Sequence, residues 1–173
     1  MAYDSKAVAN RFLELATANG QTLSPMKLLK LLYFAHGWYL AITGKPLLDE
    51  AIEAWNYGPV VPTIYHEFKR FGNDSITEPA KEATGQGSRR SKDARLPESD
   101  GAAFVQRLLQ RVWEIYGPFS AVQLSRMTHQ EGSPWSKTVE QNTGSKGYFP
   151  KSVEIDDNLI KDYFIGLKHT GTN

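Results

Sequence analysis

The sequence predicts a mainly α fold, a single compact helical domain around a central apolar helix with a small β element. Three observations point there. Apolar stripes at helical spacing recur along most of the chain, Ser-Pro and Asp caps punctuate them, and residues 26–42 are apolar on almost every side. A length of 173 residues fits one domain, spanning 1–173, and suffices to bury a sizeable core.

Asp4 is placed to cap a first helix running to about Ala18, with Val8, Phe12 and Leu15 on one face and Gly20 just past its end. Ser24 caps a second helix. Pro25 takes its first position, where a missing N–H costs nothing, and Leu23 and Leu28 have hydrophobic-staple spacing. Gly44 ends it. Lys27, Lys30, Gly37 and Ala41 share one narrow strip of this helix, interrupted by Phe34, while Leu28, Leu29, Leu32, Tyr33, His36, Tyr39 and Leu40 cover the opposite side. A helix this apolar has to be wrapped by others. Residues 51–55 alternate as a short strand bounded by Pro46 and the turn Asn56-Tyr57-Gly58-Pro59. Residues 61–71 read as a helix with Ile64, Phe68 and Phe71 inward, closed by Gly72.

From 73 to 100 the pattern gives way to polar residues without periodicity, and a flexible loop is expected there, with room for a short strand near Ile76. Helical pattern resumes over 102–116, where Phe104, Leu108, Val112 and Ile115 form a stripe, and Gly117-Pro118 breaks it. Ser120 and Gln123 have capping-box spacing for a helix expected to end near Glu131-Gly132. Ser133-Pro134-Trp135 starts another short one. Residues 148–155 read as extended, and Asp156 caps a last helix to about Leu167 that holds Ile160, Tyr163 and Phe164.

Composition narrows the function. A net charge of +1 supplies no global field towards nucleic acid or an anionic membrane. The absence of cysteine removes disulfides, thiolate nucleophiles and thiolate metal sites. The opening MAYDSKAVANRF is not read as a secretory signal, so a cytoplasmic location is expected. Residues 26–42 would span about 25 Å, short of a hydrocarbon core of about 30 Å, and carry Lys27, Lys30 and His36; no membrane association is expected.

Candidate chemistry is sparse. His36 sits on the buried face of its helix as a neutral imidazole bonded to a neighbour, His66 is solvated, and His129 suits the negative end of a helix. No two histidines have metal-ligand spacing, so neither a metal nor another cofactor is expected. No Gly-x-Ser-x-Gly elbow occurs, and Gly85-Gln86-Gly87 lacks the flanking strand and helix of a phosphate cradle. Arg89, Arg90, Lys92 and Arg95 form a basic cluster diluted by Glu82, Asp93, Glu98 and Asp100; it is a solvated loop or a contact for an acidic partner. The first two helices invite a helix-turn-helix comparison, but the would-be recognition helix is too apolar for a groove. Trp55, Tyr57, Pro59 and Trp135 lie at turns or element ends, either as edge anchors of the core or as an aromatic contact patch for another protein.

The stretch MKLLKLLYFAHGWYLAITGKPLLDEAIEAWNYGPVVPTIYHEFKRFG resembles the Panacea domain, the SocA-like antitoxin family also described as phage-associated GepA-like proteins. The resemblance rests on Met26-Lys27-Leu28, Leu31-Leu32-Tyr33, the Tyr39 region and Glu53-Ala54-Trp55 before Tyr57-Gly58-Pro59-Val60. The later stretch 125–135, with Thr128-His129 and Pro134-Trp135, is similar to the family's second motif. It implies a small helical protein encoded beside a toxin in bacteria or phages, as in prophages and phage defence, that neutralises the toxin by direct contact. One family member delivers its toxin to a protease as an adaptor. No additional N-terminal DNA-binding domain is expected, and nucleic acid is not the expected partner.

These readings converge on a non-enzymatic antitoxin of a toxin–antitoxin system whose partner is the cognate toxin, with a protease as a further partner if it acts as an adaptor. The expected contact residues are Trp55, Tyr57, Gly58, Pro59, Val60 and Trp135, with Arg89 and Arg90 steering the encounter. The alternatives are a small enzyme reversing a toxin-made modification, with His129 or His36 beside a carboxylate, and a DNA-binding regulator of its own operon.

Overall fold

Side-chain caps decide where the helices begin. In the computed structural model, which describes residues 1–83, 91–144 and 152–171, Asp4 accepts from the Lys6 N–H at 2.8 Å to open α1 (Ser5–Ala18). Ser24 opens α2 (Pro25–Thr43), and Gly44, left-handed at φ 70, ends it. Val61 precedes α3 (Pro62–Phe68), which starts on a proline and tightens into a 3₁₀ turn over Lys69–Phe71. Ser99 caps α4 (Asp100–Tyr116). A reciprocal capping box opens α5 (Ala121–Thr128), where Ser120 Oγ accepts from Gln123 N at 3.2 Å and Gln123 Oε1 accepts from Ser120 N at 2.8 Å. Ser133 caps α6 (Pro134–Asn142) and Asp156 caps α7 (Asp157–Thr170).

The expected mainly α architecture with a small β element is the one observed. The β element is larger than a lone strand. β1 (Glu53–Trp55) pairs antiparallel with β2 (Gly58–Val60) and, on its other side, with β3 (Val153–Glu154), giving the order β2-β1-β3. Trp55 faces Gly58 in register, so Asn56-Tyr57 is a two-residue hairpin turn and not a bend leading straight into a helix. The expected strand near Ile76 is not present; its N–H donates instead to Leu23 O at 2.8 Å. α5 stops at Thr128, short of Glu131-Gly132, because the side chains of Thr128 and His129 turn back onto Ser125 O at 2.7 and 2.6 Å. Of the extended reading over 148–155, residues 148–151 lie outside the described residues.

The polar stretch from 73 to 100 is tied at its base by buried Asn10. Its amide donates to Ala80 O at 2.8 Å and Ala94 O at 2.9 Å and accepts from Ala80 N at 2.7 Å.

α2 is the centre of the core and is packed by α1, α3, α4, α5, α7 and β2. Every residue from Leu28 to Gly37 is buried, and this includes the strip of Lys30 and Gly37. α7 lies on that strip because Gly37 has no side chain. Phe164 of α7 presses its ring there, and a β-carbon at position 37 would stand 2.2 Å from Phe164 Cε2. The ring is held edge-on by Tyr33 at 5.6 Å and Trp38 at 5.2 Å, while Phe34 stacks on Tyr116 at 4.0 Å. Trp38 Nε1 donates to the Tyr116 hydroxyl at 2.9 Å. Among the described residues no helix is long and apolar enough to cross a membrane.

Gly37→Ala is therefore expected to destabilise the chain. Overpacking of about 1–3 kcal/mol outweighs the roughly 0.5–1 kcal/mol that alanine gains in a helix. The expected net loss, about 1–2 kcal/mol, is read as a lower urea midpoint at unchanged m.

Candidate functional site

The hairpin turn is held by its carbonyls. Trp135, the second residue of α6, donates its indole N–H to Trp55 O at 2.7 Å. Ser125 Oγ of α5 donates to Tyr57 O at 3.2 Å, and His129 Nε2 lies 3.4 Å from Asn56 O. From α2, Lys30 Nζ donates to Pro59 O at 3.1 Å. The donors hold one another too. The His129 ring packs on Trp135 at 4.0 Å between centroids, its Nδ1–H donates to Ser125 O, and Ser133 Oγ donates to Thr128 O at 2.8 Å. The two stretches singled out in the sequence, 53–60 and 125–135, thus form one construction.

Gly58 makes the fit possible. Its φ is 110, a region other residues rarely adopt, and a β-carbon there would stand 2.7 Å from Lys30 Nζ and 2.8 Å from Thr128 Oγ1. Behind it Lys30 is 1% exposed, and no ion pair reaches it among the described residues. Burial pushes its ammonium down from the ordinary 10.5 to about 7. Either protonation state can still donate to Pro59 O.

The expected contact residues separate by depth. Tyr57 is 74% exposed at the tip. Trp55 is half-buried, its ring 4.7 Å from Tyr65 and its Nε1 donating to Glu53 at 2.7 Å. Trp135 is half-buried as well, and Gly58, Pro59 and Val60 are buried beneath the turn. Arg89 and Arg90 lie outside the described residues. Lys30, Ser125 and Thr128 were not expected as parts of this site. The signal for Lys30 was available, since a lysine inside a helix that must be wrapped on all sides has to be buried somewhere.

The histidines proposed for chemistry are engaged. His36 Nδ1 accepts from Leu48 N at 3.4 Å, which leaves the Nε2 proton to donate to Asp157 Oδ1 at 2.9 Å. Asp157, but not His36, lines a hollow of about 610 Å³ together with Asp49, Glu50, Glu154 and Asp156. Its acids are mostly committed to the fold. Asp49 accepts from Ser5, Glu50 from Thr63 N, and Asp156 from Asn158 N. Among the described residues no group of His, Asp and Glu is arranged to hold a metal ion.

The hairpin and its clamp both fall within residues 28–136, the span matched by the family model described as Antitoxin SocA-like, Panacea domain. The chain belongs to this family. It is also similar to Antitoxin SocA of Caulobacter vibrioides (strain NA1000 / CB15N), 33% identical over 161 residues that cover 93% of this chain and 82% of that protein. No solved structure matches it. The family match takes in most of α2, the hairpin, α5 and the N-terminus of α6, the parts joined by the carbonyl clamp.

Lys30 makes stability depend on pH in a direction that can be worked out. Unfolded, its amine titrates at the ordinary 10.5; folded, at about 7. Between those values the unfolded chain holds the extra proton, so stability rises with pH by up to about 1.4 kcal/mol per unit. Below the folded value the cost of burying the charge is complete and constant. Urea unfolding from about pH 6.5 to pH 9.5 is expected to show this rise in the natural chain. The rise is expected to be missing from Lys30→Met, and an identical pH dependence in the two would refute it.

Proposed function

We propose that this chain is the antitoxin of a toxin–antitoxin pair and neutralises its cognate toxin by direct binding in the cytoplasm. The hairpin tip is the contact. The observation that carries this reading is the combination of an outward Tyr57 with a turn whose carbonyls are tied to three different helices. Side chains that seek a partner gain from a backbone already ordered, because less conformational entropy is lost on binding. Trp55, beside the tip and half-buried, supplies a second aromatic anchor of the kind that dominates interface energies. An interface of about 1,600 Å² is sufficient for tight neutralisation.

A non-enzymatic role is supported by His36 and His129, whose ring nitrogens face backbone atoms or a carboxylate of their own fold and not an open cleft. Whether the toxin is occluded or handed to a protease is a difference in its fate. A toxin half-life that falls when this chain is present marks delivery.

Co-expression with the product of the adjoining gene tests the reading. The natural chain is expected to restore growth and to co-purify with that product. Trp55→Ala together with Tyr57→Ala is expected to weaken binding by about 2 kcal/mol or more, roughly thirtyfold, while the circular-dichroism spectrum stays helical. Tyr57→Ala alone is expected to change stability by less than about 0.5 kcal/mol. Undiminished rescue by the double variant would remove the hairpin from the contact.

A further inference from the structure

Next to the hairpin tip lies a cleft of about 470 Å³, walled by Trp55, Asn56, Tyr57, Tyr65, His66 and Lys69. Its walls are largely aromatic. The His66 ring stands edge-on to Trp55 at 6.4 Å and to Tyr65 at 5.3 Å, and Trp55 and Tyr65 meet at 4.7 Å. Lys69 is the charged residue of the lining; it is exposed, and no ion pair engages it among the described residues. Among the described residues no carboxylate lines the cleft. Those adjoining it are turned to other tasks: Glu53 accepts the Trp55 indole N–H at 2.7 Å, and Glu67 pairs with Lys6 at 3.0 Å.

We infer that this cleft receives a short acidic segment of the toxin, with an aromatic or aliphatic side chain entering between Trp55, Tyr57 and Tyr65 and a neighbouring carboxylate meeting Lys69. The inference rests on the antitoxin reading and adds the chemistry of the partner. The volume lies within the range that encloses small ligands, which leaves room for a few side chains but not for a folded element. Aromatic walls reward apolar burial, and an unpaired ammonium at the rim selects against cationic segments. A single-stranded nucleic acid would use such an aromatic platform as well, but it also needs a positively charged groove along its backbone. One lysine among the described residues of the lining, in a chain of net charge +1, does not make that groove.

The test uses the full chain and the purified product of the adjoining gene, titrated by calorimetry. Lys69→Glu is expected to weaken binding about tenfold or more, Lys69→Arg to stay within about threefold, and Arg107→Glu, on α4 outside the cleft, to change nothing. Raising the salt concentration is expected to weaken binding by the natural chain more than by Lys69→Ala. Because Lys69 and Arg107 are both exposed and neither makes an ion pair among the described residues, all four variants are expected to melt with the natural chain. Binding that is indifferent to Lys69→Glu overturns the cleft and leaves the antitoxin reading standing. No binding by the natural chain overturns both. A ten-nucleotide oligouridylate that binds more tightly than the protein product, and loses that affinity in Lys69→Glu, overturns the protein occupant in favour of nucleic acid.

Discussion

The hydrogen bond from Lys30 to Pro59 O is the constraint on which the rest of this structure turns. It crosses from the most buried helix to the only hairpin seen among the described residues, and it places a titratable amine where water does not reach. Such a group is costly to bury, and its lowered titration point is the measure of that cost. The fold retains it in a place where an aliphatic side chain would fill space but leave Pro59 O without this donor. An unsatisfied buried carbonyl carries its own penalty of about 1–3 kcal/mol, so part of the lysine's cost is offset at once. The remainder is the energetic trace of a specific geometry. The carbonyls of Pro59, Tyr57 and Trp55 can be met by a lysine from one helix, a serine from a second and a tryptophan from a third only if the hairpin sits in one position.

That position depends in turn on two missing side chains. Gly58 lets the turn come down onto Lys30 and Thr128, and Gly37 lets Phe164 lie flush against α2. The first contact places the hairpin on one side of the central helix; the second places α7 on it. Between them the aromatic cluster of Tyr33, Phe34, Trp38, Tyr116 and Phe164 joins α2, α4 and α7 into one packed body. Interiors packed to this density transmit displacement instead of absorbing it. The turn is therefore stiff for reasons that lie well away from it.

Much of this was legible in the sequence, and what was missed has a physical pattern. The helices were readable because their caps are local: Asp4, Ser24, Ser120, Ser133 and Asp156 act on backbone within three residues of themselves. The wrapping of α2 was readable because an apolar surface with no polar face admits no other solution. β2 was not, because Gly-Pro-Val has too few residues to show alternation and its proline argues against a strand. Pairing with β1 leaves that proline at a position where the missing N–H is tolerated. Aromatic residues at the turn were readable as a patch, yet their depth was not, because Tyr57 and Val60 differ in exposure only through contacts with α2 and α5 that no local pattern reveals. The partnership of Ser125 with Tyr57 O joins residues 68 apart in the chain. No spacing rule reaches that far.

The clamp acts on main-chain oxygens, and this separates the shape of the site from its chemistry. Lys30, Ser125 and Trp135 recognise carbonyls that any residue would present at positions 59, 57 and 55, provided the backbone path is kept. Only Gly58 is restricted by conformation and space. The side chain of Tyr57 points away from the scaffold, and Lys69 lies on a short turn without hydrogen bonds of its side chain to the fold among the described residues. Substitutions at the tip and at the cleft rim therefore change what is recognised while leaving the frame intact. A scaffold built in this way meets a new partner by replacing a few outward side chains. It does so without a second search for a stable fold, since the stability resides in contacts those side chains do not make.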